Sequence, residues 1–497
     1  MAFLSGGDVT LKKKIKIKSF PRKQRRLLIE ALDKVIKSDD IKFYPELWKL
    51  AFHSLHVGEF KHTRIPEIAQ RYRNENNVHT LDTNYCEAIK EGKSKEAVDT
   101  LKIKPSVFAR NLDKLIRDCF STKRNEDINE ILDQFEKCIS KIGSKVLLQL
   151  LSHFQRRKYF LSELSTEEGK KYKRLVQISG SISRTYPIPN NDVMIPNVVL
   201  DKVIDILNHG LIEKFGTRGL LKDKRAYLAP GMEDILIPLQ LSSASAKKTL
   251  ARGSKIPIFD IFEEDKDKKN ILRFFLHWIG YIIDLSMMLI DSDLENPKYV
   301  FWKNLKVADY ALHSGDILLA RPPKGASQFI DVDMKKAIDA GNRYVILDAR
   351  VWGGGPLTFA KHELCFGGVM AREEMNSGEI YEPSTVKYKF DLQSETRNTI
   401  MFLFDLELKE LIWVDTSMNV GPCSDIQGDS SKVCDVIREV LKAHKHKVSI
   451  AQLVDLHVKA NDAEIVDDKS KANFIVSMTD DGDLDVYNVA EINSNWI

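Results

Sequence analysis

The chain has few cysteines, and they are poorly placed to act together. Six stand in 497 residues, at 86, 119, 138, 365, 423 and 434; none forms C-x-x-C, and the nearest two are eleven apart. That spacing argues against a zinc ribbon or a disulfide framework, so a reduced, intracellular, cytoplasmic protein is expected. Long apolar runs are also lacking. The one stretch with the length to cross a bilayer, "ILRFFLHWIGYIIDLSMMLI" (271–290), holds Arg273, His277 and Asp284. A central Arg or Asp costs about 2.5–3.5 kcal/mol each, and the break at Gly280 suits two buried strands, so no transmembrane segment is expected. The start, "MAFLSGGDVTLKKK", puts its basic run after a short apolar stretch, the reverse of a secretory signal. Catalytic signatures are missing as well. "SAKK" (245–248) fits S-x-x-K without the companion S-D-N or K-T-G, and "GGGP" (353–356) fits neither a P-loop nor a Rossmann turn. A non-enzymatic protein is the expectation.

What is present is charge of two kinds, unevenly spread. Residues 1–230 carry 44 Lys+Arg against 29 Asp+Glu, or +15; the remainder carries 31 against 42, or −11. The texture changes near the same place. Upstream, "PRKQRRLLIEALDKVIKS", "YPELWKLAFHSLH", "SVFARNLDKLIRDCF", "INEILDQFEKCISKI", "KVLLQLLSHFQRRKYFLSEL" and "PNVVLDKVIDILNHGLIEKFG" show helical spacing. Downstream, nine short runs rich in β-branched and aromatic residues are separated by Gly, Pro, Asn and Asp, from "ILRFFLHW" to "ELIWVDT". "MFLFDLELKELIWVD" reads as a hairpin turning at Lys409–Glu410. The fold class expected is α+β multidomain: a basic all-α region over 1–230, an antiparallel β-sandwich over 231–420, and a small α/β tail over 421–497.

The acids of the sandwich carry the most chemistry. Asp284, Asp291, Asp293, Asp316, Asp331 and Asp333 fall near strand ends or Gly-containing loops. Hard cations such as calcium want six to eight oxygens, which such acids would supply if they converged. The plainer reading is a solvated acidic rim. In "QFIDVDM", alternation puts Asp331 and Asp333 on one face. Asp284, Asp316, Asp331 and Asp333 are expected to meet. The segment Lys12–Arg26, "KKKIKIKSFPRKQRR", holds nine Lys or Arg. It reads either as a guarded edge strand or as a binder of nucleic acid or an anionic surface. His53 and His56, spaced i,i+3 with His62 nearby, are read first as ordinary surface or core histidines and only second as metal ligands.

"DLSMML", "YVFWKNL", "HSGDI", "GASQFIDVDM", "RYVILDARVW", "CFGGVMARE", "KFDL" and "FDLELKELIWVD" follow one another in the order seen in TerD-like domains of the tellurite-resistance and stress-response family. The resemblance covers about 235–418. "PRKQR" (21–25), "LHVGEF" (55–60), "VLLQ" (146–149) and "LARGS" (250–254) extend it to a bacterial subgroup with a helical region upstream. Members of that subgroup often carry a RING-type finger before that region. The cysteine cluster is absent here, as expected of a shortened relative or half of a split gene. The resemblance implies a calcium-binding β-sandwich that acts in stress or tellurite resistance through protein complexes. Its metal set, carried over, is Asp284, Ser286, Asp316, Gln328, Asp331 and Asp333. Ile282 stands where the family has the first Asp of its motif, and Gln328 where it has an acid. Fewer charges weaken a calcium site, so calcium binding reduced or lost at these two positions is implied. The alternative is an adaptor for nucleic acid or anionic surfaces acting through Lys12–Arg26. A metal-dependent hydrolase comes third.

Overall fold

The computed structural model describes residues 1, 5, 17–36, 40, 45–74, 81–163, 173–179, 182–187, 195–239, 244–245, 250–257, 270–353, 357–376, 386, 388–418, 420–421, 424–479 and 481–497. They fall into two compact units, Met1–Lys141 and Ile142–Ile497. Residues 12–16 of the basic run, most of "SAKK", most of "GGGP" and Cys423 lie outside the described residues. No helix of the described residues is long and apolar enough to cross a membrane.

The first unit is helical. The helix Pro105–Ser121 shows why: Phe108, Leu112, Leu115, Ile116 and Cys119 fall on one stripe and are all buried. Phe108 meets Phe135 of the helix Asp127–Cys138 edge to face, with centroids 5.5 Å apart. "PRKQR" and "LHVGEF" come together here. Pro21 precedes the helix Arg22–Val35, and Arg25 Nη1 reaches Glu59 Oε1 at 3.1 Å. His56 turns the chain with a φ of 50°, and its Nδ1 lies 3.2 Å from the same Glu59 oxygen. Val57 and Phe60 then insert into the cluster around Ile29 and Phe52. Glu59 thus holds two arginines of the basic run, Arg25 and, at 3.9 Å, Arg22, and His56 is spent on a surface contact.

The second unit opens with the helices Ser144–Glu163 and Asn197–Gly216. Between them stands a hairpin, β1 (Lys173–Ser179) and β2 (Ile182–Pro187), and β3 (Arg225–Leu228) follows. Residues 1–230 are therefore not all-α. "KRLVQIS" and "ISRTYP" are too short to hold a helix alone, and β2 finds a parallel partner in a strand more than two hundred residues downstream.

The strands that follow are β4 (Ala244–Ser245), β5 (Lys255–Pro257), β6 (Ile271–Ile279), β7 (Ile283–Ile290), β8 (Lys298–Val300), β9 (Lys306–Val307), β10 (Ala311–His313), β11 (Ala326–Asp333), β12 (Tyr344–Val351), β13 (Leu364–Arg372), β14 (Tyr388–Leu392), β15 (Asn398–Asp405) and β16 (Glu410–Met418). All nine apolar runs downstream carry a strand. The apolar stretch 271–290 is the pair β6 and β7, broken at Gly280 with a φ of 139°. β15 and β16 form the expected hairpin, turning over Leu406–Lys409.

One sheet runs β1-β2-β16-β15-β12-β7-β8, with β5 beside β16; the other runs β4-β14-β13-β6-β11-β10-β9. Phe274 of β6 meets Phe404 of β15 at 6.4 Å, and Phe390 of β14 meets Phe402 of β15 at 5.0 Å, so the two sheets pack face to face. In β7, β12 and β15 every residue is buried. The cause is a second layer. The helix Ser430–Leu441 lays Val433, Ile437 and Val440 on the outer face of the first sheet, against Met288, Ile346 and Ile400. A strand covered on both faces reads as a continuous apolar run. "LARGS" ties into the same sheet: Gly253 N–H donates to the Trp413 carbonyl at 2.7 Å, and Ser254 Oγ accepts from Leu236 N–H at 2.9 Å.

The C-terminal residues give β17 (Glu464–Ile465), β18 (Phe474–Ser477) and β19 (Leu484–Asp485). They build a parallel sheet in the order β17-β3-β18-β19 around the upstream strand β3. The helix Ile450–Ala460 places His457 against Phe215, with ring centroids 4.1 Å apart.

Candidate functional site

The six residues proposed as ligands separate into three environments. Side chains alternate along a strand, so β7 and β11 each present two faces. On β11 the inner face holds Gln328, Ile330 and Val332; Asp331 and Asp333 share the outer face of the second sheet. On β7, Asp284 and Ser286 lie on the outer face of the first sheet, in line with Met288 and Ile290 beneath the helix Ser430–Leu441. The expected meeting of Asp331 and Asp333 with Asp284 does not occur, because the two pairs sit on opposite outer surfaces of a two-sheet stack.

Asp331 is committed to another partner. Its carboxylate takes both Nε and Nη2 of Arg273, each at 2.7 Å, and Asn376 N–H donates to it at 2.7 Å. Arg273 is its register neighbour on β6, and both side chains are fully buried. The guanidinium lies 3.9 Å over the Phe329 ring. Asp333 is a helix cap, accepting Lys336 N–H at 3.1 Å at the start of the helix Met334–Asp339. Asp291 closes the turn after β7, taking Glu295 N–H at 2.7 Å.

Gln328 is a staple between the sheets. Its Oε1 accepts from Leu285 N–H at 3.0 Å, and His313 Nε2–H donates to the Leu285 carbonyl at 3.1 Å. β8 pairs only with residues 287–289 of β7, so this stretch of edge would otherwise leave both backbone groups of Leu285 without partners. His313 Nδ1 accepts from Gly315 N–H at 3.0 Å. That needs the neutral imidazole, and burial lowers the His313 pKa accordingly. Gly315 adopts a φ of 118°, which a side chain would resist. "HSGD" is thus a device that locks an open strand edge and delivers Asp316 beside it.

Asp316 lies near enough to Asp284 for its charge to act on that carboxyl. Burial pushes the Asp284 carboxyl up to about 7, the Asp316 charge adds to the rise, and Arg350 opposes it. Asp284 is 7% exposed and makes no hydrogen bond or ion pair with the described residues. Ile282, which precedes β7, gives its carbonyl to Trp352 N–H at 3.0 Å.

Beside this pair is a cluster that the sequence reading passed over. Register places Arg350 of β12 opposite Asp284, and Asp348 opposite Ser286. Arg350 donates through Nε to Asp348, and through Nη1 to Asp429 at 2.7 Å and to Ser424 at 2.9 Å. Lys432 Nζ completes the pairing of Asp429 at 2.7 Å. Burial works against the Arg350 charge, but Asp348 and Asp429 outweigh it and hold its pKa above the ordinary value. Burial raises that of Asp348. The available signal was "LDARV", an acid and a base at i and i+2 on one face of a strand. Among the described residues no group of three or more His, Cys, Asp or Glu is arranged to hold a metal ion.

No protein-family model and no curated protein matches the chain. Among solved structures it is similar in part to a crystallised protein of unknown function, at 10% identity and a TM-score of 0.24, over 30% of this chain and 93% of that one. It is also similar in part to a homologue of the telluride resistance protein TerD from Streptomyces coelicolor A3(2), at 11% identity and a TM-score of 0.21, over 28% of this chain and 81% of that one.

Proposed function

We propose that this chain is a non-enzymatic, TerD-like stress-response protein whose sandwich responds to a divalent cation at Asp284 and Asp316, with calcium the fitting ion. The observation that carries this reading is the pair itself: a buried carboxylate with no partner among the described residues, raised to about 7, with a second carboxylate beside it. Ser286, on the same face of β7, adds a further oxygen. Gln328, Asp331 and Asp333 have structural duties and are left out of the site. Two charges make a weak calcium site, since affinity follows charge count. A bound cation offsets the repulsion between the two carboxylates and favours the folded state by mass action, about 2.7 kcal/mol at a hundredfold excess over its dissociation constant.

The test is a calcium titration of the full chain, read by the melting temperature. Millimolar calcium is expected to raise it, and magnesium less, because the smaller ion dehydrates reluctantly. Asp316→Asn is expected to abolish the calcium response, whereas Asp333→Asn leaves it intact. A melting temperature indifferent to calcium in the wild-type chain would remove the cation from this reading.

A further inference from the structure

We propose that a cavity on the second unit, remote from the acidic corner, binds a phosphate-bearing small molecule of nucleotide size. The cavity, of about 530 Å³, is lined by Lys158, Lys445 and Lys447 against a single acid, Glu233. That volume lies within the range of small-molecule sites and far exceeds a lone phosphate. Lys158 and Lys445 stand at this concave place against Glu233, with Lys158 also paired to Asp201 on the rim, so basic side chains outnumber acidic ones there. The cationic surplus continues behind the wall. Lys447 is part-buried, donates to the Arg252 carbonyl at 3.1 Å, and has its pKa pushed down to about 8 by burial and by Arg252 and Arg156. Arg156 and Arg252 already have their own acids, Glu439 at 2.7 Å and Asp415 at 3.6 Å.

Two further observations point to a ligand. His446 lines the cavity, is 5% exposed, and its buried Nε2 has no hydrogen-bond partner. A buried ring N–H without a partner costs free energy that a bound oxyanion would recover, and the neutral His446 ring meets that condition with its proton on Nε2. Asn197, also in the wall, begins a twenty-residue helix whose N-terminus carries no side-chain cap, and the helix dipole favours an anion there. By contrast, the helix Ile450–Ala460 is capped by Ser449 and offers nothing further. Tyr159 presents an aromatic ring to the same space, a surface for the organic part of the ligand. Lys158 pairs with Asp201 on the exposed rim and is free to exchange that partner for a phosphate.

The experiment is calorimetric titration of the full chain with ADP, with inorganic phosphate and with adenosine, at low and high salt. ADP is expected to bind, phosphate to compete with it, adenosine not to compete, and added salt to weaken the binding. Lys445→Glu, at an exposed position that the fold does not need, is expected to weaken ADP about tenfold or more, the loss of a charge-assisted contact. Lys469→Glu, on the remote Asp481 pair, is expected to leave it unchanged. ADP binding equally well to wild type and Lys445→Glu, adenosine competing as well as ADP, or no binding of either phosphate compound would each overturn the proposal.

Discussion

Replacing Asp284 by Asn is expected to stabilise the second unit above pH 7 and leave it unchanged near pH 4. The wild-type carboxyl rises from an ordinary 3.8 to about 7 in the folded chain, through burial first and Asp316 second. A carboxyl whose folded pKa exceeds its unfolded value favours the folded state while protonated. That contribution is whole below about pH 3.8 and is lost as pH rises through about 7. A rise from 3.8 to about 7 corresponds to a cost of about 4 kcal/mol for carrying the charge at pH 8. Asparagine has the shape of the protonated acid and never bears that charge. Asp331→Asn is expected to act with the opposite sign at every pH tested between 5 and 8. It takes the Asp331 carboxylate away from a fully buried Arg273, and breaking such a pair costs about 3–5 kcal/mol. Urea denaturation followed by tryptophan fluorescence is the assay, since five of the six tryptophans, all but Trp48, lie in the second unit. The pH slope between 4 and 8 should flatten in Asp284→Asn relative to wild type. Equal midpoints for wild type and Asp284→Asn at pH 8, or a stabilised Asp331→Asn, would refute the reasoning.

Gly325→Ala is expected to destabilise the second unit by about 2 kcal/mol or more, the cost of a strained backbone plus overlap. Gly325 has a φ of 66°, and an added Cβ would stand 2.3 Å from the Trp278 carbonyl oxygen, so a midpoint shift under half that size in the same urea assay would contradict it. Alkylation of the native chain should modify Cys86 before Cys119, Cys365 and Cys434, because it is exposed while those three are buried. Burial raises the thiol pKa at all three, to about 11 at Cys434. Peptide mapping after brief iodoacetamide treatment, with and without denaturant, checks the order, and early labelling of Cys365 would contradict the packing of β13.

The strands were legible because each is a short apolar run closed by turn residues, and that signal is local. The hairpin β1–β2 and the strand β3 were not, because what makes them strands is a partner far away: β16 for β2, and β17 and β18 for β3. The same limit governs the acids. Period-2 alternation correctly put Asp331 and Asp333 on one face. It carried no information about which of the two outer surfaces that face would be, so Asp331 looked like a ligand when its register neighbour across the ladder is Arg273. Gln328 stands where the resemblance implies an acid. Its Oε1 is needed as an acceptor for Leu285 N–H, a duty visible only once β8 is seen to stop short of that residue.

The acids of the sandwich differ in one physical respect, whether a cation reaches them. Arg273 meets Asp331 through two donors to two oxygens, a match made within the fold. Arg350 stands among three carboxylates, Asp284, Asp348 and Asp429, and its bonds go to the latter two. Lys432 relieves Asp429 but sits on the helix side of the cluster. Asp284 is therefore the remainder of an uneven division, and Asp316 increases the excess negative charge at that corner. Elsewhere in the sheets the buried acids Asp331, Asp405 and Asp415 are matched by Arg273, Arg343 and Arg252. Here the matching charge must come from a proton or from a cation in solution. Which of the two prevails depends on pH. Below about 7 the proton occupies Asp284 and competes with a metal; above it the carboxylate is bare. The calcium response of the melting temperature should accordingly grow from pH 6 to pH 8. A metal held mainly by neutral oxygens would show no such growth.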